Sequence, residues 1–121
     1  MILLTEVTHS LVLQTSSSEA TDWTCSYIDL GASETTPSSA QGNVSSATTT
    51  TIAATPAAAT QRQIKHISLR NVGAASQTVT VKKDVDSAGH TVFVAVLAAS
   101  EGAEYTDGRG WACFDNQGSV R

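Results

Sequence analysis

The chain has 121 residues, of which 40% are hydrophobic but only 5% aromatic, and its formal net charge at pH 7 is −4. This length fits one domain with a modest core, filled mainly by Val, Ile, Leu and Ala. Because phosphate neutralisation needs a basic surface, the charge argues against a nucleic-acid partner. No apolar run reaches the length of a membrane span, and the apolar start is too short for a signal peptide, so we expect no membrane partner and assembly in the cytoplasm.

The composition favours strands over helices, because Thr and Val fit a pleated surface better than a helix. The chain has two cysteines, Cys25 and Cys113, which form no C-x-x-C motif. Their spacing therefore excludes zinc-ribbon and thioredoxin-like chemistry. It leaves open whether they form a disulfide or are both free.

The first part of the chain contains two segments with the alternation of β-strands. Residues 7–14 alternate with a period close to two, and residues 23–30 resume the pattern less cleanly after a polar interruption. We therefore predict a strand in each segment. Residues 1–22 as a whole are expected to form an N-terminal arm or strand.

The middle of the chain is rich in Ser, Thr, Ala, Gln and Gly and holds both prolines, Pro37 and Pro56. Such a composition buries too little apolar area to offset chain entropy, so we predict a mobile polar loop over residues 31–43. Residues 44–55 have high β-propensity, and we predict a strand there.

The second half shows the clearest strand and turn pattern. Residues 63–72 predict a strand, and residues 78–85 predict a half-buried strand with one polar and one mostly apolar side. Residues 86–89 are typical of a hairpin turn, after which residues 90–99 return as another strand.

The returning strand is apolar on both faces over residues 91–97. A strand with one solvated face would alternate, so this run predicts cover on both sides. The second cover could come from another subunit or from a loop of the same chain. If it is a subunit or partner, the candidate interface residues are Val92, Val94 and Val96.

The last twenty residues predict two short strands joined by a tight turn, since Asp107-Gly108 supplies a position suited to positive φ. In total we expect about seven to nine short strands and no helix. The predicted fold is therefore all-β, an antiparallel β-sandwich or jelly roll forming a single domain over residues 1–121.

Motifs for catalysis, cofactors or metals are absent from the sequence. His9, His66 and His90 lie on separate predicted strands without local His partners, and no nucleophile motif is present. The carboxylates of Glu101, Glu104 and Asp107 cluster near a turn, where charged residues are usually solvated. We therefore predict a protein that is not an enzyme, with no catalytic, cofactor-binding or metal-binding residues.

Two segments resemble a known group of proteins. AATPAAATQRQIKHISLRNV, at residues 53–72, and EGAEYTDGRGWACFDNQGSV, at residues 101–120, resemble small β-rich proteins encoded in the structural gene clusters of tailed bacteriophages. The resemblance covers roughly the C-terminal 70 residues, as a pattern of strands and turns. It implies a virion component without catalytic residues.

Within that class, the resemblance leaves two positions in the particle open. A capsid decoration (cement) protein would bind the major capsid protein on the outer surface, often as a homotrimer. A tail, neck or fibre-attachment adaptor would instead bind tail or neck proteins. We favour decoration, because a chain of this length does not accommodate the receptor-binding region of a fibre. A small carbohydrate-binding sandwich is a third alternative, which would need exposed aromatic rings.

Overall fold

The computed structural model describes all 121 residues, and every regular element in it is a β-strand. Ten strands follow one another along the chain, slightly more than the seven to nine predicted. They are β1 Ile2–Leu4, β2 His9–Thr15, β3 Thr21–Leu30, β4 Thr35–Val44, β5 Thr49–Ala53, β6 Gln61–Asn71, β7 Gln77–Val85, β8 Ala88–Leu97, β9 Gly102–Thr106 and β10 Gly110–Phe114.

The strands form two antiparallel sheets. The six-stranded sheet has the order β10-β9-β6-β3-β4, and β1 pairs with β6 beside β9. The four-stranded sheet has the order β5-β2-β7-β8. One apolar core of 17 buried residues draws on both sheets, with Leu13 and Val81 from the smaller and Cys25 and Leu69 from the larger. The predicted all-β sandwich is thus confirmed, whereas a jelly-roll arrangement is not.

The N-terminal segment belongs to the sandwich. Strand β1 pairs with β6 in the larger sheet, and the Ile2 amide donates to the Tyr105 hydroxyl at 3.0 Å. Strand β2 lies inside the smaller sheet, between β5 and β7. Of the two predictions for residues 1–22, the strand was therefore right and the projecting arm was wrong.

The polar segment predicted as a mobile loop over residues 31–43 is mostly a strand, so that prediction was wrong. Residues 35–44 form strand β4, which pairs with β3 along its whole length at the edge of the larger sheet. Backbone pairing holds this strand in place, so it needs little apolar burial of its own. Pro37 is compatible with it, because an edge strand has one side on which no ladder amide is required. The next predicted strand is shorter than expected, since only residues 49–53 form β5.

The second half follows the sequence-based prediction closely. Buried Gln77, Val79 and Val81 alternate with the half-exposed residues between them along β7, as expected for a half-buried strand. A two-residue turn, Asp86-Ser87, joins β7 to β8, and both residues have positive φ. The final hairpin of β9 and β10 also forms as predicted.

Candidate interaction surface

Strand β8 lies at an edge of the smaller sheet, with only β7 beside it. Along this strand Leu97 is buried and Phe93 and Ala95 are half-buried against the core. The alternate residues Val92, Val94 and Val96 are 39%, 56% and 55% exposed. We call these three residues the valine row. They are the candidate interface residues predicted from sequence, and the structure places them together on one exposed face.

The exposure of the valine row corrects one expectation. We predicted cover on both faces of residues 91–97, but the core covers only one of them. No loop of the same chain packs over the other face, so that alternative was wrong. The apolar run arose because β8 has a core face and an apolar exposed face, which sequence alternation alone does not distinguish from full burial. Cover by another subunit stays a prediction.

The valine row has neutral side chains beside it on β7, while Lys82 lies near its Val92 end and Arg121 lies at the free edge of β8. Thr78 and Thr80 on β7 lie opposite Val96 and Val94 in the register of the sheet. No charged residue occurs between residues 91 and 100. Charged residues are depleted at the centres of protein interfaces, so this surface has the composition of one.

Behind the valine row, an aromatic cluster ties β8 to the opposite sheet. The rings of Phe93 and Trp111 stack with their centroids 4.0 Å apart and their planes 7° from parallel. The Tyr105 ring tilts against Trp111 at 5.3 Å. Since stacked rings add stability beyond their buried area, this cluster fixes β8 against β9 and β10 and presents the valine row on a firm support.

Arg121 lies at the free edge of β8. Its Nη2 donates to the Val96 carbonyl at 2.7 Å, and its Nη1 lies 2.5 Å from a Glu101 carboxylate oxygen. Its backbone amide donates to the Cys113 carbonyl on β10 at 3.0 Å. Nothing in the sequence singles out this residue, because an arginine in a polar stretch belongs to no recognisable pattern.

The three histidines do not converge. His9 Nδ1 is 3.3 Å from the Thr5 amide, His66 lies 3.9 Å from Glu104 on the larger sheet, and His90 is exposed on β8. No group of three or more His, Cys, Asp or Glu side chains could hold a metal ion.

The carboxylates that cluster in sequence separate in the structure. Glu101 pairs with Arg121, Asp107 pairs with Lys65 at 3.0 Å, and Glu104 lies near His66. Because each has a different neighbour, the structure does not bring them together as an acid–base pair.

The two cysteines are both free. Cys25 is buried in the core, where burial raises the pKa of its thiol to about 12. Cys113 is half-buried on β10, and two strands lie between β10 and β3 in the sheet. A thiolate is the nucleophilic form of cysteine, so Cys25 is chemically unreactive in the folded chain.

Five of the six aromatic side chains are occupied with internal contacts, the exception being Phe114. Trp23 and Tyr105 are 8% and 3% exposed, Phe93 and Trp111 stack on each other, and the Arg62 guanidinium lies 4.1 Å above the Tyr27 ring. A sugar-binding face needs free aromatic surface, so this arrangement argues against the carbohydrate alternative.

Two shallow surface grooves, of about 330 and 270 Å³, are present away from the valine row. The larger lies on the outside of the six-stranded sheet and is lined by Ser68, Arg70, Glu104 and Phe114 among others. The smaller is lined almost entirely by polar residues.

These features define a β-sandwich with one firmly supported, exposed apolar edge strand. No family model matches the chain, and neither a curated protein nor a solved structure matches it. None of its structural elements is a helix that could cross a membrane.

Proposed function

We propose that this protein is a non-enzymatic structural component of a tailed-bacteriophage virion, a capsid decoration (cement) protein. In this role it binds the major capsid protein on the outer surface of the shell and stabilises the shell, as a homo-oligomer for which the family resemblance favours a trimer. The observation that carries the proposal is the valine row, because three neighbouring valines without cover are typical of an interaction site.

Two further points support the proposal. The segments at residues 53–72 and 101–120 resemble phage structural proteins, and they contribute β6, β9 and β10 of the larger sheet, of which β10 packs against β8 through the Phe93–Trp111 stack. A small apolar contact is sufficient in this setting, because many copies on a symmetric lattice gain avidity from one another.

The alternative is a tail, neck or fibre-attachment adaptor of the same virion. It would use the same surface and the same rigid sandwich, with tail or neck proteins as partners. The two proposals differ in where the protein is found on the particle.

The test is to add the purified chain to phage particles that lack it and to locate it by cryo-electron microscopy. Decoration predicts density at regular positions on the capsid exterior. Val94→Asp should reduce occupancy at least tenfold by placing a charge in the apolar contact, whereas the matched variant Val7→Asp should bind normally, since Val7 is similarly exposed at 53% but lies away from β8. Density confined to tails would contradict decoration and support the adaptor. Absence of binding to any part of the particle would contradict both.

A further inference from the structure

Residues 115–121 turn back along the free edge of β10. The Asp115 amide donates to the Ser119 carbonyl at 2.8 Å, and the Arg121 amide donates to the Cys113 carbonyl at 3.0 Å. These are the two hydrogen bonds of a short antiparallel bridge. The backbone groups that this end of β10 directs away from β9 are therefore occupied.

The Arg121 side chain carries the same segment across to the other sheet. Its Nη2 donates to the Val96 carbonyl on β8 at 2.7 Å, and its Nη1 contacts the Glu101 carboxylate. The Val96 carbonyl points away from β7, because its partner Thr78 bonds instead to Ser16 on the β2 side. Strands β8 and β10 are edge strands of different sheets, so one short segment covers backbone groups at both edges.

This segment lacks the contacts that hold the rest of the chain together. Residues 116–121 are all exposed, so they bury no apolar side chain. The turn is held by Asp115, whose Oδ1 accepts from the amides of Gln117 and Ser119, each at 2.9 Å. Segments held mainly by exposed hydrogen bonds open at a lower free energy than a packed core does. The segment can therefore detach while both sheets stay folded.

We propose that residues 115–121 form a latch that keeps the edges of β10 and β8 from pairing with other chains, and that this latch opens without unfolding of the sandwich. Uncovered strand edges present amides and carbonyls to which further strands add, and folded β proteins cover or interrupt such edges. The closed latch does so at Cys113 and Val96, whose outward carbonyls both accept from Arg121. It requires no partner, so it is independent of the virion proposal.

The two free cysteines distinguish opening of the latch from unfolding of the chain. Cys113 is half-buried on β10, and its carbonyl is bonded to the latch. Its side chain packs against the core at the side that the latch closes. Cys25 is fully buried and becomes accessible only when the whole sandwich opens. Labelling of the native chain with N-ethylmaleimide, followed by mass spectrometry, should therefore give one modified thiol, at Cys113.

Variants of the latch should change the rate of this labelling. Arg121→Ala frees the latch from β8 and Asp115→Ala releases its turn, and each should speed the labelling of Cys113 by about tenfold, as expected for the loss of a charge-assisted hydrogen bond. Arg109→Ala is the matched control, because that side chain makes no ion pair. A neighbouring positive charge activates a thiol, so its loss alone would slow labelling rather than speed it.

Light scattering of the concentrated protein tests whether the latch protects the edges. At a temperature where circular dichroism shows each variant to be folded, Arg121→Ala and Asp115→Ala should aggregate faster than Arg109→Ala. Aggregation at equal rates would show that the edges need no cover. Unchanged labelling in both latch variants, or labelling of Cys25 together with Cys113, would show that the segment opens only with the whole chain and would overturn the proposal.

Discussion

At the scale of single residues, the most densely bonded side chain is Gln77, at the start of β7. It is fully buried, and its Oε1 accepts hydrogen bonds from the amides of Ser16 and Ser17 at 3.0 and 2.9 Å and from both hydroxyls. Its Nε2 donates to the Glu19 carbonyl at 2.8 Å. One side chain thus bonds four backbone groups of the connection between β2 and β3, the amides of Ser16 and Ser17 and the carbonyls of Ser17 and Glu19.

Replacing this side chain should therefore be costly. Gln77→Leu removes the acceptor of the Ser17 amide and leaves the carbonyls of Ser17 and Glu19 without their Nε2 donor, and each buried unsatisfied group costs about 1–3 kcal/mol. We expect the free energy of unfolding to fall by about 3 kcal/mol in urea denaturation. Gln14→Leu, at an exposed position on β2, is the control and should change it by less than about 0.5 kcal/mol. A loss below about 1 kcal/mol for Gln77→Leu would show that the connection is held by other contacts.

Nothing in the sequence marks Gln77 as buried. It precedes a Thr/Val alternation and follows a polar turn, so it resembles an exposed strand residue. Nothing in the sequence marks Asn71 as buried either. It is fully buried and donates to the carbonyls of Ala75 and Leu97 at 2.7 and 2.9 Å. Both side chains satisfy backbone groups distant in sequence, and local pattern carries no information about such partners.

At the scale of elements, the β7–β8 hairpin shows how turn chemistry fixes register. The turn residues Asp86 and Ser87 have φ values of 52° and 69°, which is the conformation of a type I′ turn. This turn matches the twist of the paired strands but strains residues other than Gly and Asn.

Ser87→Gly should relieve that strain. A left-handed conformation costs a non-glycine residue about 1–2 kcal/mol, part of which is offset by the greater flexibility of glycine in the unfolded chain. We expect a net gain of about 0.5–1 kcal/mol, seen as a higher thermal midpoint. Ser38→Gly, in strand β4 where φ is not positive, should lower the midpoint. A lower midpoint for Ser87→Gly would mean that the serine side chain contributes more than the strain it causes.

Strands β4 and β8 show where the prediction of strands and their burial from the sequence fails. The sequence predicts strands reliably where one face is buried, as in β6 and β7, because burial produces alternation. Strand β4 is held at the edge by pairing with β3, so its polar composition resembles that of a loop. Strand β8 has the opposite property, since its apolar exposed face resembles a buried one. In both cases the sequence reports side-chain polarity, whereas position in the sheet depends on the partner strand.

At the scale of the whole molecule, the two sheets form one core and should unfold together. The 17 core residues come from nine of the ten strands, and the Phe93–Trp111 stack closes the side where β8 faces β9 and β10. Neither sheet can expose its inner face without opening this core.

We therefore predict a two-state transition in urea. Far-ultraviolet circular dichroism, which follows the strands, and tryptophan fluorescence, which follows the core, should give the same midpoint. Separate midpoints would show that one sheet persists without the other.

Function is less predictable from the sequence than the fold. Val92, Val94 and Val96 were identified as interface candidates from their lack of alternation, and the structure places them on one exposed face. Their eventual partner depends on a second surface, which neither the sequence nor the fold of this chain describes.

The positions of the two tryptophans allow intrinsic fluorescence to report on contacts made at β8. Trp111 stacks on Phe93 directly behind β8, whereas Trp23 lies beneath Gly42 at the opposite side of the larger sheet. Trp111 emission should shift when a partner binds β8, whereas Trp23 emission should not change. Replacing Trp23 with Phe would leave a single intrinsic fluorophore that records binding in real time without any attached dye.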